Sequence, residues 1–131
     1  MVNKEQGLIA AAKNVRENAF APYSGFRVGA AALGDDGVIY TGCNVESATY
    51  ALTLCAERNA IFKGVSGGVK RFTAIAVVAD TDKLTPPCGS CRQIIWEFCG
   101  DVPVTMSNLN GKTETVQMSE LLPRAFDSSF L

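Results

Sequence analysis

Two short segments that lie far apart in the chain place the strongest constraint on its fold. Cys-Ala-Glu occupies positions 55–57, and Pro-Cys-Gly-Ser-Cys occupies positions 87–91. Three thiolates can hold a zinc ion while the fourth tetrahedral position stays open for water, which separates catalytic zinc from structural zinc. If Cys55, Cys88 and Cys91 bind one ion, the fold has to bring both segments together.

The spacing within each segment predicts that both lie at the start of a helix. Along the side of a helix, Cys55 and Glu57 would point about 200° apart, but both can reach a site that the helix N-terminus faces. Cys88 and Cys91 are three positions apart and share one face of a helix start. We therefore expect two helix N-termini to meet at one metal, where the helix dipoles lower the pKa of thiols. Glu57 is not needed as a ligand and is free to move protons.

A closed, structural metal site would require a fourth ligand. Cys99 follows Cys91 at roughly 12 Å along a helix, which is too far for the same ion. The spacing of Cys43 leaves this residue open as a fourth ligand. The open site is favoured because Cys-Ala-Glu with Pro-Cys-x-x-Cys matches a signature described for zinc deaminases, whereas a lone Cys-x-x-Cys also occurs in redox motifs. Cys43 and Cys99 are then expected to be small buried hydrophobic residues.

Three thiolates around one zinc ion leave a net negative charge that needs a cation nearby. Arg58 and Arg92 directly follow the two cysteine-bearing segments. Either arginine can donate a hydrogen bond to a cysteine sulfur, and outer partners of this kind tune a bound metal. The alternative is that each arginine is an ordinary surface charge.

The composition limits the partners that this chain can have. Its 131 residues suffice for one domain with one core, spanning residues 1–131. Twelve basic and thirteen acidic residues leave a net charge of −1, which argues against a nucleic-acid partner because a phosphate backbone requires a basic surface. No apolar run approaches the roughly 20 residues of a membrane span, so no membrane partner is expected.

The residue types also indicate the compartment and the kind of catalysis. Charged residues among the first twenty positions argue against a secretory leader, so a cytoplasmic location is expected. Cysteines are usually reduced there, which makes ligands and buried thiols more plausible than disulfides. The chain has no histidine, which excludes Ser-His-Asp and Cys-His catalysis. A carboxylate or a metal-held water must then handle the protons of any hydrolysis.

Hydrophobic periodicity predicts elements in the order α-β-β-α-β-α-β-β, followed by a short helix. Asp-Gly at 36–37 and Asn-Gly at 110–111 mark hairpin turns. The continuous apolar run 72–79 is typical of a central strand covered on both faces. The order predicts an α/β protein with a mixed sheet layered by helices. The predicted helices are 3–20, 54–65, 91–98 and 119–122, and the predicted strands are 26–33, 38–43, 72–79, 102–106 and 113–116.

Two polar residues follow the second predicted strand. If the extended conformation continues, Asn44 and Glu46 point to the same face, because residues two apart in a strand do so. The two polar side chains would then bind the same ligand. Ordinary loop polarity is an equally open interpretation.

The chain is similar nearly end to end to the small, homotetrameric type of cytidine deaminase. The motifs that carry the similarity are Pro22-Tyr23-Ser24 with Phe26, Val28 to Ala31, Thr41 to Glu46, Cys55 to Arg58, Ala79 to Thr81, Pro87 to Gly89 with Cys91 to Gln93, Leu121 to Pro123, and Ala125 with Phe126. The resemblance implies a three-layer α-β-α sandwich with a central mixed sheet of about five strands. It also implies a homotetramer with its active sites at the subunit contacts.

The resemblance implies an enzyme that deaminates cytidine and 2′-deoxycytidine by hydrolysis, giving uridine or 2′-deoxyuridine and ammonia in pyrimidine salvage. One zinc ion per chain would be bound by Cys55, Cys88 and Cys91. Glu57 would move protons between water, the pyrimidine N3 and the departing amine. The backbone N–H of Ala56 would bind the base carbonyl.

A further set of substrate contacts is implied by the same resemblance. Asn44 and Glu46 would hold a ribose hydroxyl, and Phe26 would pack on the base. Tyr50 would lie near the ribose and the subunit contact, and Phe126 would reach in from a neighbouring subunit. From the residues alone, ordinary core positions are the favoured interpretation of Phe26 and Phe126.

Several departures from the usual family sequence bear on substrate range. Pro86 stands where serine is usual, and Arg124 stands where glycine is common. Ser47 alters the run that follows Glu46.

Two alternative functions stay open. The first is a deaminase of another substrate, such as a nucleoside antibiotic or a base in RNA or single-stranded DNA. The second is a non-catalytic module stapled by zinc, with Cys43 as fourth ligand.

Overall fold

The predicted order of elements is confirmed in the computed structural model, which describes residues 3–131. The helices are α1 Lys4–Arg16, α2 Ala56–Ser66, α3 Gly89–Cys99 and α4 Met118–Leu121. The strands are β1 Val28–Gly34, β2 Ile39–Cys43, β3 Phe72–Ala79, β4 Pro103–Ser107 and β5 Thr113–Gln117. Within the described residues, every helix is too short or too polar to cross a membrane.

The five strands form one mixed sheet in the order β2-β1-β3-β4-β5. The β3–β4 pair is parallel, and the other three pairs are antiparallel. Both hairpin turns carry a glycine with positive φ, 81° at Gly37 and 88° at Gly111. These are values that glycine adopts without steric cost, which is why the Asp-Gly and Asn-Gly signals located the turns correctly.

Helix α1 covers one face of the sheet. Its Leu8 and Ala12 pack against Ala31 of β1 and against Ala76 and Val78 of β3. Helices α2 and α3 cover the opposite face, where the neighbouring positions of the same strands point. The residues of this second and larger core include Ala30, Ala32, Ala60, Ile61, Ile75, Val77 and Ile95. The arrangement confirms the α/β three-layer sandwich with a central sheet of five strands.

Helix α1 is shorter than its hydrophobic pattern predicts. It ends at Arg16 rather than near residue 20. Beyond the helix, the backbone N–H of Phe20 donates to the carbonyl of Asn44, and the N–H of Glu46 donates to the carbonyl of Phe20. This pairing places Phe20 beside Val45 in a short parallel bridge. The predicted end of the helix is therefore wrong, because pairing with a distant segment replaces the last helical turn.

A close approach between β2 and α2 sets the position of the start of α2. A Cβ atom at Gly42 would lie 2.4 Å from the backbone nitrogen of Ala60 and 2.6 Å from the carbonyl oxygen of Ala56. Real Cβ atoms do not approach backbone this closely, so only glycine permits the contact. The first turn of α2 is thereby held directly against the sheet.

We predict that Gly42→Ala lowers the free energy of unfolding by about 1–3 kcal/mol, because the added methyl group meets backbone that cannot move aside. Gly7→Ala is the matched control. Gly7 lies within α1, and its Cβ would meet only the Cδ1 atom of Ile39 at 3.9 Å. This control is expected to gain about 0.5–1 kcal/mol. Urea denaturation followed by circular dichroism measures both values, and equal effects of the two substitutions would contradict the prediction.

Candidate active site

Three cysteines meet where the starts of α2 and α3 converge. Cys55 is the N-cap residue of α2, Cys88 is the N-cap residue of α3, and Cys91 lies in the first turn of α3. Their three sulfur atoms all lie within 4.8 Å of one another. The two helix N-termini therefore face a single cluster of thiols.

The geometry of this cluster fits a tetrahedral metal ion. A zinc–sulfur bond of about 2.3 Å and tetrahedral angles require two sulfur atoms to lie about 3.8 Å apart. The sulfur atoms of Cys55 and Cys88 are separated by 3.8 Å. Among residues 3–131, Cys43 and Cys99 are outside this group. The alternative in which Cys43 completes a closed site is therefore not supported by the structure.

The charge of the cluster is balanced partly by the protein. Hydrogen bonds from Cys91 and then from Arg58 lower the pKa of the Cys55 thiol to about 5, although burial opposes them. The hydrogen bond with Cys55 and burial raise the pKa of the Cys91 thiol. Nη2 of Arg58 lies 3.4 Å from the sulfur of Cys55. The Nε atom of Arg58 is buried and has no hydrogen-bond partner within residues 3–131.

Arg92 occupies a different place from Arg58. Its Nε atom donates to the carbonyl oxygen of Pro87 at 2.7 Å, and its Nη1 atom donates to the carbonyl oxygen of Leu121 at 2.8 Å. In the part of the chain that the structure describes, Arg92 does not donate to a cysteine sulfur, so that hypothesis is not supported. Its guanidinium instead ties the segment before Cys88 to the end of α4.

Glu57 lies beside the thiols in the first turn of α2. Its side chain is buried, with a relative exposure of 5%. Burial raises the pKa of this carboxyl to about 7. A carboxyl group of this kind exchanges protons readily near neutral pH, which is what general acid–base catalysis requires.

A cavity of about 250 Å³ opens in front of Glu57, Cys55 and Cys88. It is lined by seven residues that the sequence predicted as site residues: Phe26, Asn44, Glu46, Cys55, Ala56, Glu57 and Cys88. The cavity is also lined by Pro86, which the sequence singled out as a departure from the family, and by four residues that the sequence did not single out: Val28, Thr53, Val77 and Thr85. The sequence could have identified two of these lining residues. Val28 is two positions from Phe26 in an extended segment and so points to the same face, and Val77 lies in the central strand.

The side chain of Asn44 lines the cavity and also forms hydrogen bonds with the backbone. The residue is 8% exposed. Its Oδ1 atom accepts from the N–H of Val28 at 2.9 Å, and its Nδ2 atom donates to the carbonyl of Phe26 at 2.7 Å. These two bonds fix the entry of the chain into β1. Strand β1 accordingly begins at Val28, two residues later than predicted.

Glu46 lines the same cavity as Asn44. Its Oε1 atom accepts from the backbone N–H groups of Tyr23 at 2.9 Å and Ser24 at 3.1 Å. Its Oε2 atom accepts from the hydroxyl of Ser24. The hydrogen bond from that hydroxyl is the main reason that the pKa of Glu46 is lowered. The carboxylate is therefore ionised at neutral pH.

Tyr50 and Phe126 lie at the surface and do not line this cavity. Tyr50 is 75% exposed and meets the ring of Tyr23 edge-on, with 6.3 Å between the ring centroids. Phe126 is 57% exposed and stacks on Phe130. Arg124, two residues earlier, has a φ of 55°, a left-handed conformation that glycine adopts more easily than arginine.

Comparison with known proteins identifies relatives of this chain. The family model for the cytidine and deoxycytidylate deaminase zinc-binding region matches residues 2–106. A cytidine deaminase of Sporosarcina psychrophila is 54% identical over 95% of this chain and 92% of its own. A blasticidin-S deaminase of Bacillus cereus is 34% identical over 73% of this chain and 74% of its own.

A solved structure has the same fold. The crystal structure of a cytidine deaminase from Burkholderia pseudomallei superposes with a TM-score of 0.88 at 46% sequence identity, covering 92% of this chain and 97% of that one. The similarity thus spans the sheet, both helix layers and the cysteine-bearing segments. The chain belongs to the zinc-binding cytidine and deoxycytidylate deaminase family.

Proposed function

We propose that this protein is a zinc-dependent enzyme that converts cytidine and 2′-deoxycytidine to uridine and 2′-deoxyuridine with release of ammonia. The observation that carries this proposal is a triangle of cysteine sulfur atoms beside a buried carboxyl, at the floor of a cavity. The whole chain, residues 1–131, acts as one catalytic domain. The three ligand thiols have to stay reduced, which favours a cytoplasmic location.

Cys55, Cys88 and Cys91 are the proposed zinc ligands. The sulfur separations support this assignment, and a set of three thiolates suits zinc. Zinc bound there would supply a Lewis acid that makes water a nucleophile near neutral pH. Arg58, through its contact with the sulfur of Cys55, offsets part of the negative charge of the thiolates.

Glu57 is the proposed catalytic acid and base. Water adds across the C4–N3 bond of the pyrimidine, and Glu57 takes a proton from that water and delivers it to N3. Glu57 then takes the proton of the new C4 hydroxyl and delivers it to the amine at C4, so that the bond from C4 to the exocyclic nitrogen breaks and ammonia leaves as C4 becomes a carbonyl. Burial raises the pKa of Glu57, which favours the protonated carboxyl that delivers protons to the substrate.

The cavity walls supply the proposed contacts to the nucleoside. The N–H of Ala56 is available to the base carbonyl, because the first residue of a helix has no acceptor for its N–H within the helix. Phe26 lies in the wall where it can pack on the base. Asn44 and Glu46 bind the 3′-hydroxyl of the sugar, and Tyr50 lies further out, towards the subunit contact.

A homotetramer is the proposed assembly. Exposed apolar side chains support it, since patches of this kind mark interaction surfaces. The bridges from Phe20 to Val45 and from Val45 to Leu54 gather three of these side chains on one surface. In such an assembly Phe126, which is exposed in the single chain, would enter the active site of a neighbouring subunit.

The first experiment measures ammonia release from cytidine together with zinc content. We expect release with about one zinc per chain, whereas zinc without release would favour the second candidate, a nucleoside antibiotic as substrate. That candidate has support in the 34% identity to the blasticidin-S deaminase, against 54% to the cytidine deaminase. Assays with blasticidin S beside cytidine distinguish the two candidates.

Glu57→Gln is predicted to lower kcat by about 10²–10⁴-fold, because the amide cannot carry the proton. Zinc content should stay at the wild-type level, since Glu57 is not a proposed ligand. Glu97→Gln is the matched control, as Glu97 is an exposed carboxylate on α3 outside the cavity. Turnover by Glu57→Gln at the wild-type rate would contradict the assigned role.

Cys88→Ala is predicted to abolish both zinc binding and activity, because the two remaining thiolates hold the metal poorly. Cys43→Ala is the control and should retain zinc, as Cys43 lies outside the thiol cluster. Metal analysis of the purified variants checks both outcomes. Loss of zinc from Cys43→Ala with retention in Cys88→Ala would reverse the assignment.

Cytidine 3′-monophosphate is predicted to react about a hundredfold less efficiently than cytidine, because the ionised Glu46 repels the phosphate. For the same reason, oligonucleotides should be poor substrates. Glu46→Gln removes the repelling charge, so kcat/KM for cytidine 3′-monophosphate should come closer to kcat/KM for cytidine. Comparable values for cytidine and its 3′-phosphate in the wild type would contradict this role of Glu46.

A further inference from the structure

One loop, residues 23–26, holds the carboxylate of Glu46 from one side. Two of the three donors to this carboxylate belong to Ser24, namely its backbone N–H and its hydroxyl. The third donor is the backbone N–H of Tyr23. A backbone donor survives every substitution except that by proline, so among the other residue types the hydroxyl of Ser24 is the one contact that depends on the residue at position 24.

The hydroxyl of Ser24 also contacts the residue that lies against the proposed base position. It accepts a hydrogen bond from the backbone N–H of Phe26 at 3.0 Å. A hydroxyl has one proton and two lone pairs. Because the Phe26 N–H uses a lone pair, the single proton stays available for Glu46. The same atom thus joins the backbone of Phe26 to the side chain of Glu46.

The side chain of Glu46 borders two cavities and can turn towards either of them. It lines the candidate active-site cavity, and it also lines a neighbouring cavity of about 380 Å³ beside Tyr50 and Thr53. A glutamate side chain has several rotatable bonds, and holding it in one conformation has an entropic cost. The Ser24 hydroxyl offsets that cost on the side of the loop.

We propose that Ser24 is a positioning residue for substrate recognition, whose hydroxyl orients the carboxylate of Glu46 toward the 3′-hydroxyl of the nucleoside. This inference rests on the proposed function. Ser24 does not itself touch the reacting atoms. It acts through Glu46. Its hydrogen bond with the backbone of Phe26 fixes the position of the carboxylate that binds the sugar relative to the ring that packs on the base.

The test uses two nucleosides that differ only in the 3′-hydroxyl, 2′-deoxycytidine and 2′,3′-dideoxycytidine. Ser24→Ala is expected to lower kcat/KM for 2′-deoxycytidine about tenfold more than for 2′,3′-dideoxycytidine, since loss of one hydrogen bond to a charged group has roughly this effect. Ser24→Thr keeps a hydroxyl and should recover the wild-type ratio to within about threefold. Ser24→Cys, with a weaker donor, should fall between Ser24→Ala and the wild type.

Ser66→Ala is the matched control, because Ser66 is an exposed serine at the end of α2 and does not line the cavity. Its ratio of the two kcat/KM values should equal that of the wild type. Equal losses on both nucleosides in the Ser24→Ala and Ser24→Cys variants would overturn the proposal, since a merely structural role of the loop predicts that result. Unchanged kcat/KM values in both variants would overturn it as well.

The same assay separates failure of this inference from failure of the proposed function. A wild type that releases no ammonia from 2′-deoxycytidine or cytidine would overturn the proposed reaction, and the role of Ser24 with it. A wild type that is active but does not distinguish the two nucleosides would leave the reaction standing. That result would overturn the assignment of Glu46 to the 3′-hydroxyl, and with it the positioning role of Ser24.

Discussion

Concentrated negative charge at the meeting point of two helix N-termini is the constraint on which the rest of the site depends. Three cysteine sulfur atoms lie within 4.8 Å of one another, and a buried carboxyl lies beside them. Such a cluster persists only with compensation, which the helix dipoles and the Arg58 guanidinium supply in part and a zinc ion would complete. The backbone contact at Gly42 holds the first turn of α2 against the sheet, so the cluster has a rigid floor.

The wall opposite the thiols is built differently, from a loop held by polar side chains. Asn44 binds the backbone of Phe26 and Val28, and Glu46 binds the loop at residues 23 and 24. The residues assigned to the substrate are therefore also the residues that shape the cavity. If these residues bind the sugar as proposed, this double use makes sugar binding depend on loop residues such as Ser24.

Of the departures from the usual family sequence, Pro86 lines the candidate active-site cavity, and the structure gives Arg124 a physical meaning. Arg124 adopts a φ of 55°, a conformation in which glycine is at ease and arginine is strained. It precedes Phe126, whose backbone carbonyl accepts from the side chain of Gln93. The tail is also held where Trp96 donates to Asp127 at 3.0 Å. These contacts with α3 stabilise the segment in spite of the strained residue.

The sequence by itself determined the order of helices and strands, the two glycine turns and the three clustered cysteines, because these features depend on local periodicity, backbone freedom and ligand chemistry. It predicted the wrong end for α1, and it did not reveal the partners of Arg92 or the hydrogen bonds between Ser24 and Glu46. Each of those depends on a contact between segments that are distant in the chain: Phe20 with Val45, Arg92 with Leu121, and residue 24 with residue 46. Only the tertiary structure brings such segments together, and their hydrogen bonds then prevail over the local preferences that a sequence pattern reports.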